Sequence, residues 1–119
     1  MSRIDATVTA TDLGGNFQLT INKDPINVPP GQHQIVWQLV DQTTQGPTIF
    51  NTADPIFYAR GNNCPSSGKN CDQLTVQSCS NNLLNVADDN GDSIGAIGYQ
   101  LNFKYGNKKE QLDPIIINS

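Results

Sequence analysis

The chain has little of what most chemistry requires. It contains a single glutamate (Glu110), a single histidine (His33), a single tryptophan (Trp37) and a single methionine. No apolar run approaches the ~18 residues of a membrane-spanning helix. Charged residues make up 15% of the sequence, against ~25% in an ordinary globular domain. Lysine and arginine number 7 against 11 aspartate and glutamate, for a net charge of −4. That balance denies the chain the basic face on which a phosphate backbone would lie, and nucleic acid is excluded as an expected partner. The opening Met1-Ser2-Arg3-Ile4-Asp5-Ala6 lacks the apolar stretch of a secretion signal, so the expected location is cytoplasmic with no membrane partner.

The three cysteines, Cys64, Cys71 and Cys79, are odd in number and match no zinc-ligand spacing, so they read as free thiols. A Cys64–Cys71 disulfide across the intervening Pro-Ser-Ser-Gly-Lys-Asn is sterically easy in an oxidising compartment. His33 follows Pro29-Pro30-Gly31 and reads as a solvated residue near a turn, not as a catalyst. Ser67-Gly68-Lys69-Asn70 invites comparison with a phosphate-binding loop. It lacks both the leading glycine, since position 63 is Asn63, and the hydroxyl residue after the lysine.

What the chain does have is alternation. Ile4, Ala6, Val8 and Ala10 share one parity, Asp12-Leu13-Gly14-Gly15-Asn16 supplies a turn, and Phe17, Leu19 and Ile21 resume the pattern; this predicts a β-hairpin over 3–22. Residues 34–40, with their β-branched and aromatic content between proline–glycine breaks, predict a central strand with Ile35, Trp37 and Leu39 pointing inward together. Short strands are expected over 48–59, at Leu74–Val76 and at Leu83–Val86. Ile97, Tyr99, Leu101, Phe103 and Tyr105 form the best amphipathic strand, residues 106–110 read as a turn, and 112–119 as a final strand. Trp37, Tyr99, Leu101 and Phe103 are the expected core anchors. No window shows helical spacing. The sequence therefore predicts one all-β domain over 1–119: an immunoglobulin-like, Greek-key β-sandwich of seven to nine short strands, with a long loop at about 60–73.

Two patterns remain. Asp88, Asn90 and Asp92 sit at alternate positions, as in the opening of a calcium loop, but Ser93 and Tyr99 stand where an EF-hand needs glycine and glutamate. A plain Asn-Gly turn with solvated acids is the stronger reading, and no cofactor is expected beyond a weak calcium site. Asp24, Asp54 and Asp113 each open an Asp-Pro-Ile triplet, which reads as a strand-entry device rather than a pair of glycosidase acids.

Leu84–Asp88, Tyr99–Phe103 and Asp113-Pro114-Ile115-Ile116-Ile117-Asn118 together resemble a group of small bacterial proteins known as the DP-EP family. The resemblance implies a β-sandwich and brings no activity or catalytic residues with it. This chain departs from the family's name in having no Glu-Pro pair.

The functional expectation is a non-enzymatic protein acting through protein contacts, including self-association into a homo-oligomer. Ile115, Ile116 and Ile117 are the candidate edge for pairing with a partner's sheet. The alternative is a carbohydrate-binding module built from 60–73 and 88–93 beside Tyr58 or Tyr105, with or without calcium.

Overall fold

The computed structural model describes residues 2–58, 74–90 and 95–118. The expected Cys64–Cys71 disulfide, Asp92 and the whole of the expected 60–73 loop lie outside them. The described residues form two mixed β-sheets that pack together as a sandwich. They comprise eleven strands: β1 (Ser2–Thr11), β2 (Gln18–Ile21), β3 (Ile26–Val28), β4 (Gly31–Gln42), β5 (Thr48–Phe50), β6 (Ile56–Tyr58), β7 (Leu74–Cys79), β8 (Leu83–Asn90), β9 (Gly95–Tyr105), β10 (Lys108–Leu112) and β11 (Ile115–Asn118).

The first sheet runs β2-β1-β4-β8-β7. The predicted hairpin is β1 and β2, paired antiparallel from Val8↔Ile21 to Thr11↔Gln18. β4 lies centrally, as its composition suggests, but it runs parallel to β1 along ten residue pairs, Ser2↔His33 to Thr11↔Gln42. A parallel neighbour needs a crossover of roughly a dozen residues or more. Residues 12–30 provide it by making β2 and then passing through β3 in the other sheet. A wholly antiparallel sandwich is thus not what forms.

The second sheet is organised by β9. One flank of β9 carries β10 and β11 in a single unbroken register, from Lys108↔Tyr105 to Asn118↔Gly95. The ladder pauses at Asp113-Pro114, where the Pro114 carbonyl still accepts from Tyr99 N at 3.0 Å. The other flank carries β5 and β6. The turn expected over 106–110 is therefore shorter than the composition suggests. Gly106 (φ 58°) and Asn107 make the reversal, and Lys108–Leu112 is a strand. Only positive-φ residues suit such a tight hairpin, which is why glycine stands there.

All three Asp-Pro-Ile triplets feed this second sheet: β3, β6 and β11 begin at Ile26, Ile56 and Ile115. Proline ends the preceding segment, and its carbonyl stays available. Those of Pro55 and Pro114 accept from Asn102 N (2.9 Å) and Tyr99 N (3.0 Å), both on β9. Asp24 accepts from Ile115 N at 3.1 Å, tying the β3 and β11 entries to each other.

The core follows the predicted parity. Trp37, Leu101 and Phe103 are fully buried and Tyr99 nearly so. Trp37 Nε1 donates to Tyr99 Oη at 3.1 Å, with ring centroids 5.3 Å apart. Phe50 stacks on Phe103 at 4.9 Å. The one indole N–H is thus satisfied inside the core by a residue of the opposite sheet, joining the two layers by a polar as well as an apolar contact.

Candidate functional site

The two long sides of the sandwich differ. On one, Asp12 closes the gap between sheets. Its carboxylate accepts from Thr44 N (2.8 and 2.9 Å), Gln45 N (2.8 Å), Thr44 Oγ1 (3.1 Å) and Tyr105 Oη (2.7 Å). Burial pushes this carboxyl up, but the backbone N–H groups and the two hydroxyls outweigh it and hold Asp12 at about 2, below its ordinary 3.8. Phe17 stacks on Tyr105 at 4.4 Å just beside it.

Among the described residues, the opposite side is open. There β7 is the outermost strand of the first sheet, paired only with β8 among the described residues. Thr75, Val76, Gln77 and Ser78 are all exposed, and none carries charge. Edge strands are normally blunted by proline, lysine or shortness. β3 has Pro25, Pro29 and Pro30 around it, β10 carries Lys108 and Lys109, and β5 and β6 are three residues each. β7 has one such device, a bulge between Val76 and Ser78. The bulge directs Gln77 toward Gln34, whose Nε2 donates to Gln77 Oε1 at 3.3 Å, and leaves Leu74–Val76 regular.

Beneath β7 lies a groove of about 330 Å³ between the sheets, lined by Val76 and Cys79 on one wall and by Thr52–Ile56 on the other. Val76 and Leu83 are two of the four large apolar side chains exposed among the described residues. The other two, Leu13 and Ile115, lie after β1 and at the start of β11. Cys79 is a half-buried free thiol whose Sγ donates to Ser80 O at 3.5 Å, and burial pushes its ionisation up, away from nucleophilic reactivity.

Several sequence-level candidates end up elsewhere. Ile115, Ile116 and Ile117 do not form an edge. β11 is paired antiparallel with β9 and parallel with β3, so its backbone is engaged on both flanks. An apolar strand is expected in that position, because a strand with neighbours on both sides is the least hydrated. Tyr58 and Tyr105 are unsuited as exposed sugar platforms: Tyr58 is buried at 2% exposure, and Tyr105 is held by Asp12. Asp88 and Asn90 continue β8 as extended strand instead of opening a calcium loop, and Asp88 is buried rather than solvated.

His33 is also buried rather than solvated. It lies on β4 directly opposite Asp88 on β8. Its Nε2 bonds to the Pro30 carbonyl at 3.2 Å, and its Nδ1 bonds to Ser2 Oγ. A carbonyl can only accept, so in the neutral ring Nε2 carries the proton and Nδ1 receives the serine hydroxyl. In a hydrolytic triad the second ring nitrogen faces a carboxylate; here it faces a peptide oxygen. Near this pair, Tyr58 is pushed well above the ordinary phenol range, first by burial and then by the negative charge of Asp88. A signal for His33 did exist: it shares parity with Ile35, Trp37 and Leu39.

No helix among the described residues is long and apolar enough to cross a membrane. Searched against known proteins, the chain matches no family model and no curated protein sequence.

Proposed function

We propose that this protein is a non-enzymatic β-sandwich working through protein–protein contact, and that its first partner is a second copy of itself. Two β7 strands related by a two-fold axis would pair antiparallel, joining two five-stranded sheets across the subunits. The observation that carries this reading is the exposed, charge-free run Thr75–Ser78 on a strand outermost among the described residues, above the groove between Val76 and Thr52–Ile56. A copy of a chain with net charge −4 is repelled by its twin, and an interface strand without charge is where that repulsion is least. Self-pairing is isologous, so one patch suffices for both partners. Main-chain hydrogen bonds supply affinity in strand addition, and the groove takes alternate side chains.

The engagement of both His33 ring nitrogens supports leaving catalysis out of this reading. The immunoglobulin-like description draws support from Trp37 and Tyr99 at the centre of two facing sheets. The half-buried free thiol of Cys79 suits a cytoplasmic, reducing setting.

Solution mass by light scattering, across a concentration series, tests the proposal. The wild type is expected to approach twice the monomer mass as concentration rises, while Val76→Lys and Thr75→Lys remain monomeric. A wild type that stays monomeric up to its solubility limit sinks it.

A further inference from the structure

The outer face of the second sheet carries a trough of about 190 Å³, separated from the β7 groove by the 51–56 segment. Its floor is Asn102, one of the β9 residues that alternation turns away from the core. Asn102 is held four ways. Its N donates to Pro55 O and its carbonyl accepts from Asn51 N, both at 2.9 Å. Its Nδ2 donates to Asp54 O at 2.9 Å, and its Oδ1 accepts from Gln100 Nε2 at 2.5 Å. Around this clamped amide stand Phe57, cross-strand from Gln100, and Gln111, cross-strand from Asn102. Asn51, Asp54 and Lys109 complete the rim.

The amides and the aromatic ring of that lining point to one ligand chemistry. Primary amides donate and accept at once, which matches hydroxyl groups, since a hydroxyl also does both. Phe57 is half-buried although it lies on the face away from the core. An aromatic ring so placed can take the apolar C–H face of a sugar ring. Lys109 is the one cation of the lining, against the carboxylates of Asp54 and Glu110, so a phosphate or sulfate would meet more negative charge than positive. The volume falls below the ~300–1,000 Å³ of sites for drug-sized ligands, leaving room for one ring rather than an extended chain. The clamp on Asn102 means that little of the floor has to be ordered on binding.

We infer that this trough is a binding site for a single neutral sugar residue, with Phe57 stacking on the ring and Gln100, Asn102 and Gln111 meeting its hydroxyls. It is independent of the β7 edge and of calcium. One hexose offers few atoms to hold, so its Kd is expected on the order of 1 mM, and any useful avidity would require several copies of the protein on one polymer.

The test is an ¹H–¹⁵N NMR titration of the full chain with neutral gluco-, xylo-, manno- and chito-hexasaccharides, and with a sulfated glucan as contrast. At least one neutral probe is expected to shift the side-chain amides of Gln100, Asn102 and Gln111 with saturable behaviour. Gln111→Ala, at an exposed strand position, and Phe57→Leu, which keeps bulk but removes the ring, should each weaken that binding at least tenfold. Far-UV circular dichroism and Trp37 fluorescence would confirm that both variants stay folded. The inference is overturned if no neutral probe shifts these amides up to its solubility limit, or if neither folded variant weakens binding. It is likewise overturned if only the sulfated glucan binds and Lys109→Ala abolishes that binding.

Discussion

Ile35, Val86 and Val76 form one row across the first sheet: Ile35 on β4 pairs with Val86 on β8, which pairs with Val76 on β7. All three point to the same face. Ile35 and Val86 are fully buried, whereas Val76 is 40% exposed. The residues are of nearly the same kind, so side-chain chemistry does not account for the difference. What differs is the layer above. β9 and its neighbours cover the middle of the first sheet, and among the described residues only the 52–56 segment faces β7 across the groove. Alternation decides which face a side chain takes; whether another sheet lies against that face is decided by topology. The groove exists because the two sheets do not end together.

The covered end of that contrast should be sensitive to truncation. Trp37 is fully buried and fills the space between β4 and β9. Trp37→Ala should destabilise the protein by ~3–5 kcal/mol through lost transfer energy and an unfilled cavity, read as a shifted urea midpoint with unchanged slope. A loss comparable to that of an exposed residue would mean that the middle of the sheet is no better covered than its edge.

A subtler change probes the same place. Tyr99→Phe keeps the ring and removes the hydroxyl that accepts from Trp37 Nε1. The indole N–H is then left in an apolar interior, which costs ~1–3 kcal/mol. Trp37→Phe should cost less in the Tyr99→Phe background than in the wild type, because the donor it removes is already stranded there. Full additivity of the two changes would show that the bond contributes nothing.

The core column was readable in the chain because period-two alternation needs no knowledge of what lies far away. Trp37 with Ile35 and Leu39, and Ile97 through Phe103, fall inward as the parity demands. The three Asp-Pro-Ile triplets were readable for a similar reason, since proline's missing N–H acts locally. The rest depends on distant partners. Lys108–Leu112 is polar enough to pass for a turn, and becomes a strand because Gly106-Asn107 folds it back on β9. Ile115–Ile117 has the composition of an exposed sticky edge. It is instead an inner strand of its sheet, because β3, some ninety residues earlier in the chain, arrives on its far flank, and only Ile116 of the three is fully buried. The β7 groove and the Asn102 trough were not readable at all. Each is lined by residues from separate strands whose neighbourhood only the sheet order establishes.

The closed side of the sandwich offers a comparison in pH. Asp12 has a folded pKa of about 2 against an ordinary 3.8. A depressed carboxylate contributes stability that is fully present above the higher value and is lost as pH falls through the lower one. Wild-type melting temperature should therefore drop through this window more steeply than that of Asp12→Asn, whose side chain does not titrate there. The variant should be less stable near neutrality, where an amide cannot accept all the bonds the carboxylate accepts, and the two curves should converge toward pH 2. Parallel curves across the window would show that the bonds to Thr44, Gln45 and Tyr105 do not select the charged form.

The smallest effect on stability is expected at the open edge. Val76→Lys places a long, flexible side chain where water already reaches, so its charge need not be buried and its stem can lie along the groove. The change should cost no more than ~0.5 kcal/mol, as surface substitutions do, and urea unfolding at low protein concentration would measure it. The same variant should nevertheless abolish the rise in mass, because a lysine on each of two facing edges brings like charges together. That dissociation of effects is the sharpest form of the comparison. If Val76→Lys destabilised the monomer as a core substitution does, Val76 would be covered in solution and β7 would be no edge. If it left both stability and association unchanged, the contact between copies would have to lie elsewhere.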